Sequence, residues 1–267
     1  MNRLVDKVAT ITGAGQGIGM GIARRFASEG AAVVIAELNA ETGQQTAREI
    51  EADFGVKAPF VQTDVSSKES VLAMVDYAIA EFGRVDILVN NAWGGGTFSR
   101  LEHKTDTGME KALRVGFFAA FWAMQAVFPH MRDNGGGRII SICSLNGINA
   151  HMYTAEYNCT KEALRTLTRS AAREWARHNI LANVICPGAA TPAYEAFRQA
   201  SPENAAIVLK QVPMGYMGDP ERDIGGVALF LASADSCYVT GNTIHADGGG
   251  HINGVPWAPE VSRTSTT

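Results

Sequence analysis

Residues 8–19 read VATITGAGQGIG. Val8, Ala9, Thr10, Ile11 and Thr12 are β-branched or small and uncharged, the composition of a short buried strand. Gly13, Gly15, Gly17 and Gly19 follow, and then Ile22, Ala23 and Phe26 recur on one helical face. Strand, glycine turn and helix N-terminus together make an anion site. The leading amides and the helix dipole face a phosphate, and glycine lets it approach closely. The register is T-G-x-x-x-G-x-G from Thr12 to Gly19, since GxGxxG would need glycine at Ile18 or Met20. A second strand at Val33-Val34-Ile35-Ala36 argues against a merely flexible glycine loop. Strand-like runs continue to alternate with helical patterns along the 267 residues. The fold class is therefore α/β, a Rossmann-type doubly wound parallel sheet with helices on both faces, in a single domain.

Glu37 closes the second strand, near the position where an acidic side chain meets an adenosine ribose. A carboxylate there accepts from the ribose diol and repels a 2′-phosphate. Neither the loop residue Gln16 nor Leu38, Asn39 or Ala40 supplies a cation for such a phosphate. NAD is favoured over NADP, and the competing reading of Glu37 is a solvated strand end.

Tyr157 and Lys161 stand four apart in YNCTK, thirteen residues after Ser144. Residues four apart share a helix face, so phenol and ammonium can converge. A tyrosine normally titrates near ~10, and an opposite charge within ~4–6 Å favours ionisation by ~1–3 units. The lysine is thus expected to bring the tyrosine toward acid–base work at neutral pH. A nearby serine hydroxyl would hold a carbonyl or alcohol oxygen.

With these motifs the chain resembles the short-chain dehydrogenase/reductase family, from about Leu4 to Gly249. Thr63-Asp64-Val65, DILVNNA from Asp86 to Ala92, NVICPG from Asn183 to Gly188 and YVTGNTIHADGG from Tyr238 to Gly249 complete the match. The resemblance implies Tyr157 as general acid/base, Lys161 lowering its pKa and holding the nicotinamide ribose, and Ser144 on the substrate oxygen. It places Gly13, Gln16, Gly17, Ile18 and Gly19 at the pyrophosphate turn, Asp64 and Val65 at the adenine, and Asn91 and Ala92 near the adenosine half. Pro187, Gly188, Ala190 and Thr191 would meet the nicotinamide carboxamide.

Three features depart from the family pattern. Its N-N-A-G turn reads Asn90-Asn91-Ala92-Trp93 here, and Trp93 either walls the substrate pocket or fills a gap beneath the loop. Its helix asparagine, which holds a water linking the lysine to solvent, falls at Gly116. Glycine costs ~1 kcal/mol against alanine in a helix interior, so a local bulge or a wider pocket is expected. Its P-G-x-x-x-T is one residue shorter, ending at Thr191.

The domain is expected to span residues 1–250, with a substrate lid at about 190–219 and a tail at 251–267. Trp93, Leu145, His151, Met152 and Tyr194 are the expected substrate-pocket residues. With the lid's Phe197, Val208, Leu209, Met214, Tyr216 and Met217 they suit a hydrophobic secondary alcohol or ketone. Trp257 in the tail is a further candidate to close a pocket. A formal charge of −4 with no basic stripe argues against a nucleic-acid partner. No apolar run is read as a signal peptide or membrane span, and the four cysteines lack CxxC or zinc spacing. A reduced, cytoplasmic protein without a metal is expected. Met109–Phe128 is apolar nearly all round. In the family this helix and the Tyr/Lys helix form a dimer interface, so a homo-oligomer, a tetramer, is expected. The expected function is NAD-dependent hydride transfer. The alternatives are a cofactor-binding sensor or scaffold, and a non-redox enzyme such as an epimerase or dehalogenase on the same site.

Overall fold

Successive strand residues point to opposite faces of a sheet, and here both faces are covered by helices. In β2 (Ala32–Glu37), Val33 and Ile35 join one core cluster while Val34 and Ala36 join the other. The same alternation divides β4 (Ile87–Asn90), where Ile87 and Val89 oppose Leu88. Strands that look uniformly apolar in sequence are therefore two-sided. The computed structural model describes residues 2–252, so Trp257 lies outside the described residues.

Seven parallel strands run in the order β3-β2-β1-β4-β5-β6-β7. The others are β1 (Val8–Thr12), β3 (Phe60–Gln62), β5 (Gly137–Ile142), β6 (Ile180–Pro187) and β7 (Thr243–Ala246). One face carries α1 (Gly17–Ala27) and the helix Gly225–Ala232, which bury Ile22, Phe26, Leu229 and Leu231. The other carries α3 (Lys68–Phe82), α5 (Ala119–Asp133) and α7 (Ala155–Trp175), which bury Met74, Met124, Met131 and Ala171. Strand order reverses between β1 and β4, the switch point where open α/β sheets place ligands at strand C-termini.

Local chemistry sets the element ends. The Asn39 side chain accepts from the amides of Glu41 and Thr42 to open α2 (Ala40–Phe54), and Gly55 closes it in the left-handed region at φ 67°. Ser67 opens α3, and Gly83 ends it the same way. At the far sheet edge, buried Asn183 donates to the Val239 carbonyl at 2.8 Å and accepts from the Asn242 amide at 3.0 Å. That amide side chain stitches β6 to the turn entering β7.

The apolar helix expected over Met109–Phe128 is longer and interrupted. It comprises α4 (Asp106–Leu113), a π-helical turn (Arg114–Phe118) and α5, continuous over 28 residues. By length and composition this one helix could cross a membrane, which corrects the expectation that no run approaches a span. Half of its most apolar window is buried inside the protein. Val115, Ala119, Ala120, Ala123, Met124 and Val127 face inward. On its less buried side Phe117 stacks on Phe121 and Phe118 on Trp122, and Phe117 and Phe118 meet edge-on.

Candidate active site

At the switch point the strand ends open into a cleft of about 820 Å³. Its first wall is the glycine turn: Gly13, Gln16, Gly17 and Ile18 line it. Gln16 precedes α1 in extended conformation without a side-chain cap, and the first turn of α1 holds no acidic residue. A helix's leading amides have no partner within the helix, so this terminus is fitted to an anion. Gly19 does not line the cleft. A Cβ there would sit 2.1 Å from the Gly13 carbonyl oxygen, so glycine lets α1 start directly beneath the turn. Asn91 locks this arrangement, donating through Nδ2 to the carbonyls of Thr12 at 2.9 Å and Gly13 at 3.0 Å.

Glu37, Leu38, Asp64, Val65, Asn91 and Ala92 line the cleft as well. The Glu37 carboxylate is held by three amides: Gly15 at 3.1 Å, Leu38 at 2.9 Å and Asn39 at 3.1 Å. A carboxylate has about four lone-pair sites, so with three filled one remains for a ribose hydroxyl. The cations lining the cleft are Lys161 and Lys111 of α4. These residues fit a nicotinamide dinucleotide: an open helix terminus, a close-approach turn and a fixed carboxylate.

Ser144, Tyr157 and Lys161 share the same cleft. Tyr157 lies in the first turn of α7 and Lys161 one turn later, 5.6 Å from the tyrosine ring centroid. The Lys161 ammonium, 3% exposed, donates to the Ile142 carbonyl at 2.8 Å, the last of β5. Two residues on, Ser144 accepts from the Asn146 amide at 3.1 Å and opens α6 (Leu145–Ile148). Burial pushes the Tyr157 hydroxyl above its ordinary range, against the pull of hydrogen bonding with Ser144. Burial also pushes Lys161 down. The direction at Tyr157 is opposite to the sequence expectation, because desolvation outweighs the hydrogen bond with Ser144. A phenolate here needs its ammonium as counter-charge, so the two protonations are coupled. The flanking thiols of Cys143 and Cys186 are pushed up to about 12 by burial and stay neutral.

Pro187, Gly188 and Thr191 line the opposite wall, and Ala190 does not. Its amide instead bonds the Gly218 carbonyl at 2.9 Å. Thr191 caps α8 (Pro192–Ala200), accepting from the Tyr194 amide at 3.2 Å. Of the expected substrate residues, Trp93 and Tyr194 line the cleft, while Leu145, His151 and Met152 do not. Leu145 is the first residue of α6, His151 bonds Thr154 at 3.3 Å, and Met152 is 67% exposed. The lid contributes Pro192, Ala193, Tyr194 and Met217. Its Phe197 and Val208 are exposed, and Met214 and Tyr216 line a separate cavity against β7. That cavity also holds His245 and Asp247, and His251 pairs with Asp247 at 2.9 Å. The two histidines, scattered in sequence, stack at 4.4 Å. One ligand atom from each of His245, Asp247 and His251 lies within 4.8 Å of the others, so the three could hold a metal ion, which the sequence reading did not expect.

One pair escaped the sequence reading. Lys104 and Glu156 form a buried salt bridge, their side chains 6% and 1% exposed. Lys104 also donates to the Tyr153 carbonyl at 3.1 Å and to the Thr97 carbonyl, and the Thr97 hydroxyl donates to Glu156 at 3.1 Å. The loop over the cleft is thus fastened to the residue before Tyr157. Only the adjacency of an acid to Tyr157 hinted at this, and its partner lies 52 residues away by number.

The family described as enoyl-(acyl carrier protein) reductase matches residues 13–251. A 12α-hydroxysteroid dehydrogenase of Clostridium sp. is 37% identical over 249 residues, covering 91% of this chain and 96% of its own. The structure of a 7α-hydroxysteroid dehydrogenase with NADH and 7-oxo glycochenodeoxycholic acid superposes with TM-score 0.86. It is 36% identical and covers 93% of this chain and 95% of that one. The L-sorbose reductase of Gluconobacter frateurii with NADPH and L-sorbose gives TM-score 0.89 at 31% identity, covering 95% and 100%.

Replacing Glu156 by Gln strands a buried ammonium, and breaking such a pair costs about 3–5 kcal/mol. Denaturant unfolding is expected to show that loss, with Lys104→Met/Glu156→Gln recovering most of it. Burial raises the Glu156 carboxyl, but Lys104 and Thr97 overcome this and hold it below its ordinary value of 4.5. The pair's contribution is therefore complete above about pH 4.5 and lost as pH falls through the lowered folded value. An advantage over the double variant that persists unchanged in acid would contradict this assignment.

Proposed function

The chain belongs to the short-chain dehydrogenase/reductase family, and on that premise we propose that it transfers hydride between NAD(H) and a hydrophobic secondary alcohol or its ketone. Oxidoreduction of a hydroxyl or ketone substrate is the common activity of its hydroxysteroid dehydrogenase relatives. The observation that carries the proposal is the convergence of Ser144, Tyr157 and Lys161 in the cleft that the glycine turn and Glu37 also line.

A bound nicotinamide supplies the hydride acceptor in oxidation and the donor in reduction. This chain's residues manage the oxygen. Ser144 holds the substrate hydroxyl, and Tyr157 as phenolate takes its proton as the carbonyl forms. Lys161 supplies the counter-charge. In reduction Tyr157 returns the proton to the same oxygen. Relatives are known with NADH and with NADPH, and Glu37, held by three amides at the cleft edge, supports NAD here. Apolar lining by Trp93, Val115, Pro192, Tyr194 and Met217 supports a ring-sized apolar alcohol over a sugar. A cytoplasmic location accords with four unpaired cysteines. The aromatic outer face of α5 supports a homo-oligomer, a tetramer, with α5 and α7 at an interface.

Purified protein is expected to form NADH from NAD with hydroxysteroids and other cyclic secondary alcohols, faster than NADPH from NADP. Tyr157→Phe should lower kcat by about 10²–10⁴-fold. Undiminished turnover in that variant, or a preference for NADP, would overturn the assignment. Sizing at micromolar concentration is expected to give a species larger than the monomer; monomer alone would remove the interface.

A further inference from the structure

Two residues stand apart from the family pattern, Trp93 in the cleft wall and Gly116 in the helix behind it, and the fold brings them into contact. Gly116 is buried in the π-helical turn, so the bulge expected on sequence grounds is present. A Cβ at 116 would lie 3.0 and 3.2 Å from Cζ3 and Cε3 of Trp93, and 2.4 Å from the Thr160 methyl. The indole and that methyl already fill the room a side chain at 116 would need. From its other side the same indole meets both catalytic groups. Tyr157 packs edge-on at 4.8 Å and 78°, and the Lys161 ammonium lies 5.4 Å from the indole centroid.

An ammonium carries three N–H groups. Among the described residues, Lys161 donates a hydrogen bond to the Ile142 carbonyl alone. Fully burying an ammonium on one acceptor is costly, and aromatic faces within ~6 Å offset part of that cost. Trp93 and Tyr157 are the faces available.

We propose that Trp93 is a positioning residue for the reaction: its indole fills the room left by glycine at 116 and holds the Lys161 ammonium over Tyr157 with its π face. The proposal rests on the reading of Tyr157 and Lys161 given above. The titratable groups facing the pair are few. Cys143 at the end of β5 and Cys186 in β6 are neutral thiols. Glu156 is paired with Lys104 and Glu162 with Arg165, and Lys111 lines the cleft from α4. The turn carrying Gly116 holds Arg114, whose guanidinium lies over the Trp122 ring, and the loop carrying Trp93 holds Lys104, which is paired with Glu156. Loss of the π face therefore lets Lys161 shed its proton at lower pH, which weakens the counter-charge and makes Tyr157 ionise at higher pH. Oxidation needs the phenolate, so the acid limb of its pH profile moves up.

A stability cycle tests the contact without turnover. Trp93→Leu is expected to raise the unfolding equilibrium constant about 2- to 30-fold more in the parent than in a Lys161→Met background, with Trp93→Phe retaining much of the coupling. In the active enzyme, Trp93→Leu is expected to shift the acid limb of kcat for alcohol oxidation upward by about 0.5–1.5 pH units, and Trp93→Phe by less. Additive effects in the cycle, or equal shifts for Phe and Leu, would overturn the proposal. Coupling without any turnover would instead count against the dehydrogenase reading and leave the Trp93 contact standing.

Discussion

A lysine residue only 3% exposed cannot keep its ammonium charged without compensation, and the geometry around the cleft answers that constraint. The Ile142 carbonyl at the end of β5 is its hydrogen-bond acceptor, which ties α7 to the strand that continues into Cys143 and Ser144. The indole of Trp93 and the phenol ring of Tyr157 cover its remaining sides. Serine, tyrosine and lysine are thereby held by one junction between strand and helix. The price of that precision is desolvation, which opposes charge on the tyrosine and on the lysine alike.

The junction matters because of where it lies. Strand order reverses between β1 and β4, and the strand ends there leave room for an extended ligand. Thr12 of β1 and Asn91 after β4 are bonded across that reversal, the Thr12 hydroxyl accepting from the Asn91 and Ala92 amides at 3.0 and 3.1 Å. The glycine turn and the start of the Trp93 loop are thus held in register by side-chain bonds to backbone. The uncapped helix terminus and the Tyr157–Lys161 pair, to which the proposed function gives phosphate binding and proton transfer, then open onto one cavity. That coincidence of two chemistries is what a hydride-transferring enzyme of this family requires.

Much of this was legible in the sequence. The strand, glycine turn and helix of residues 8–27 announce themselves through local composition, and Tyr157 and Lys161 through helical spacing. Contacts between distant segments were not legible. Trp93 and Gly116 looked like separate departures, because only the fold sets an indole against a helix turn. Lys104 and Glu156 carry no motif, and their pairing depends on the path of an irregular loop. His245 and His251 seemed unrelated until a turn at Gly248 and Gly249, both at positive φ, folded one ring over the other. The lid was misread in a different way. Its apolar residues obey helical periodicity, yet several face solvent or a neighbouring cavity, since periodicity gives a shared face without saying what that face meets. The direction of the Tyr157 shift was misjudged for a similar reason: charge proximity can be read from spacing, but desolvation depends on the whole surroundings.

The most direct test is a calorimetric titration of the purified chain with NADH and, separately, NADPH. A carboxylate fixed beside an uncapped helix terminus predicts one NADH site per chain, with NADPH bound at least about tenfold more weakly. Replacing Glu37 by Ala should narrow that gap. Absence of saturable NADH binding, or tighter binding of NADPH, would contradict the account.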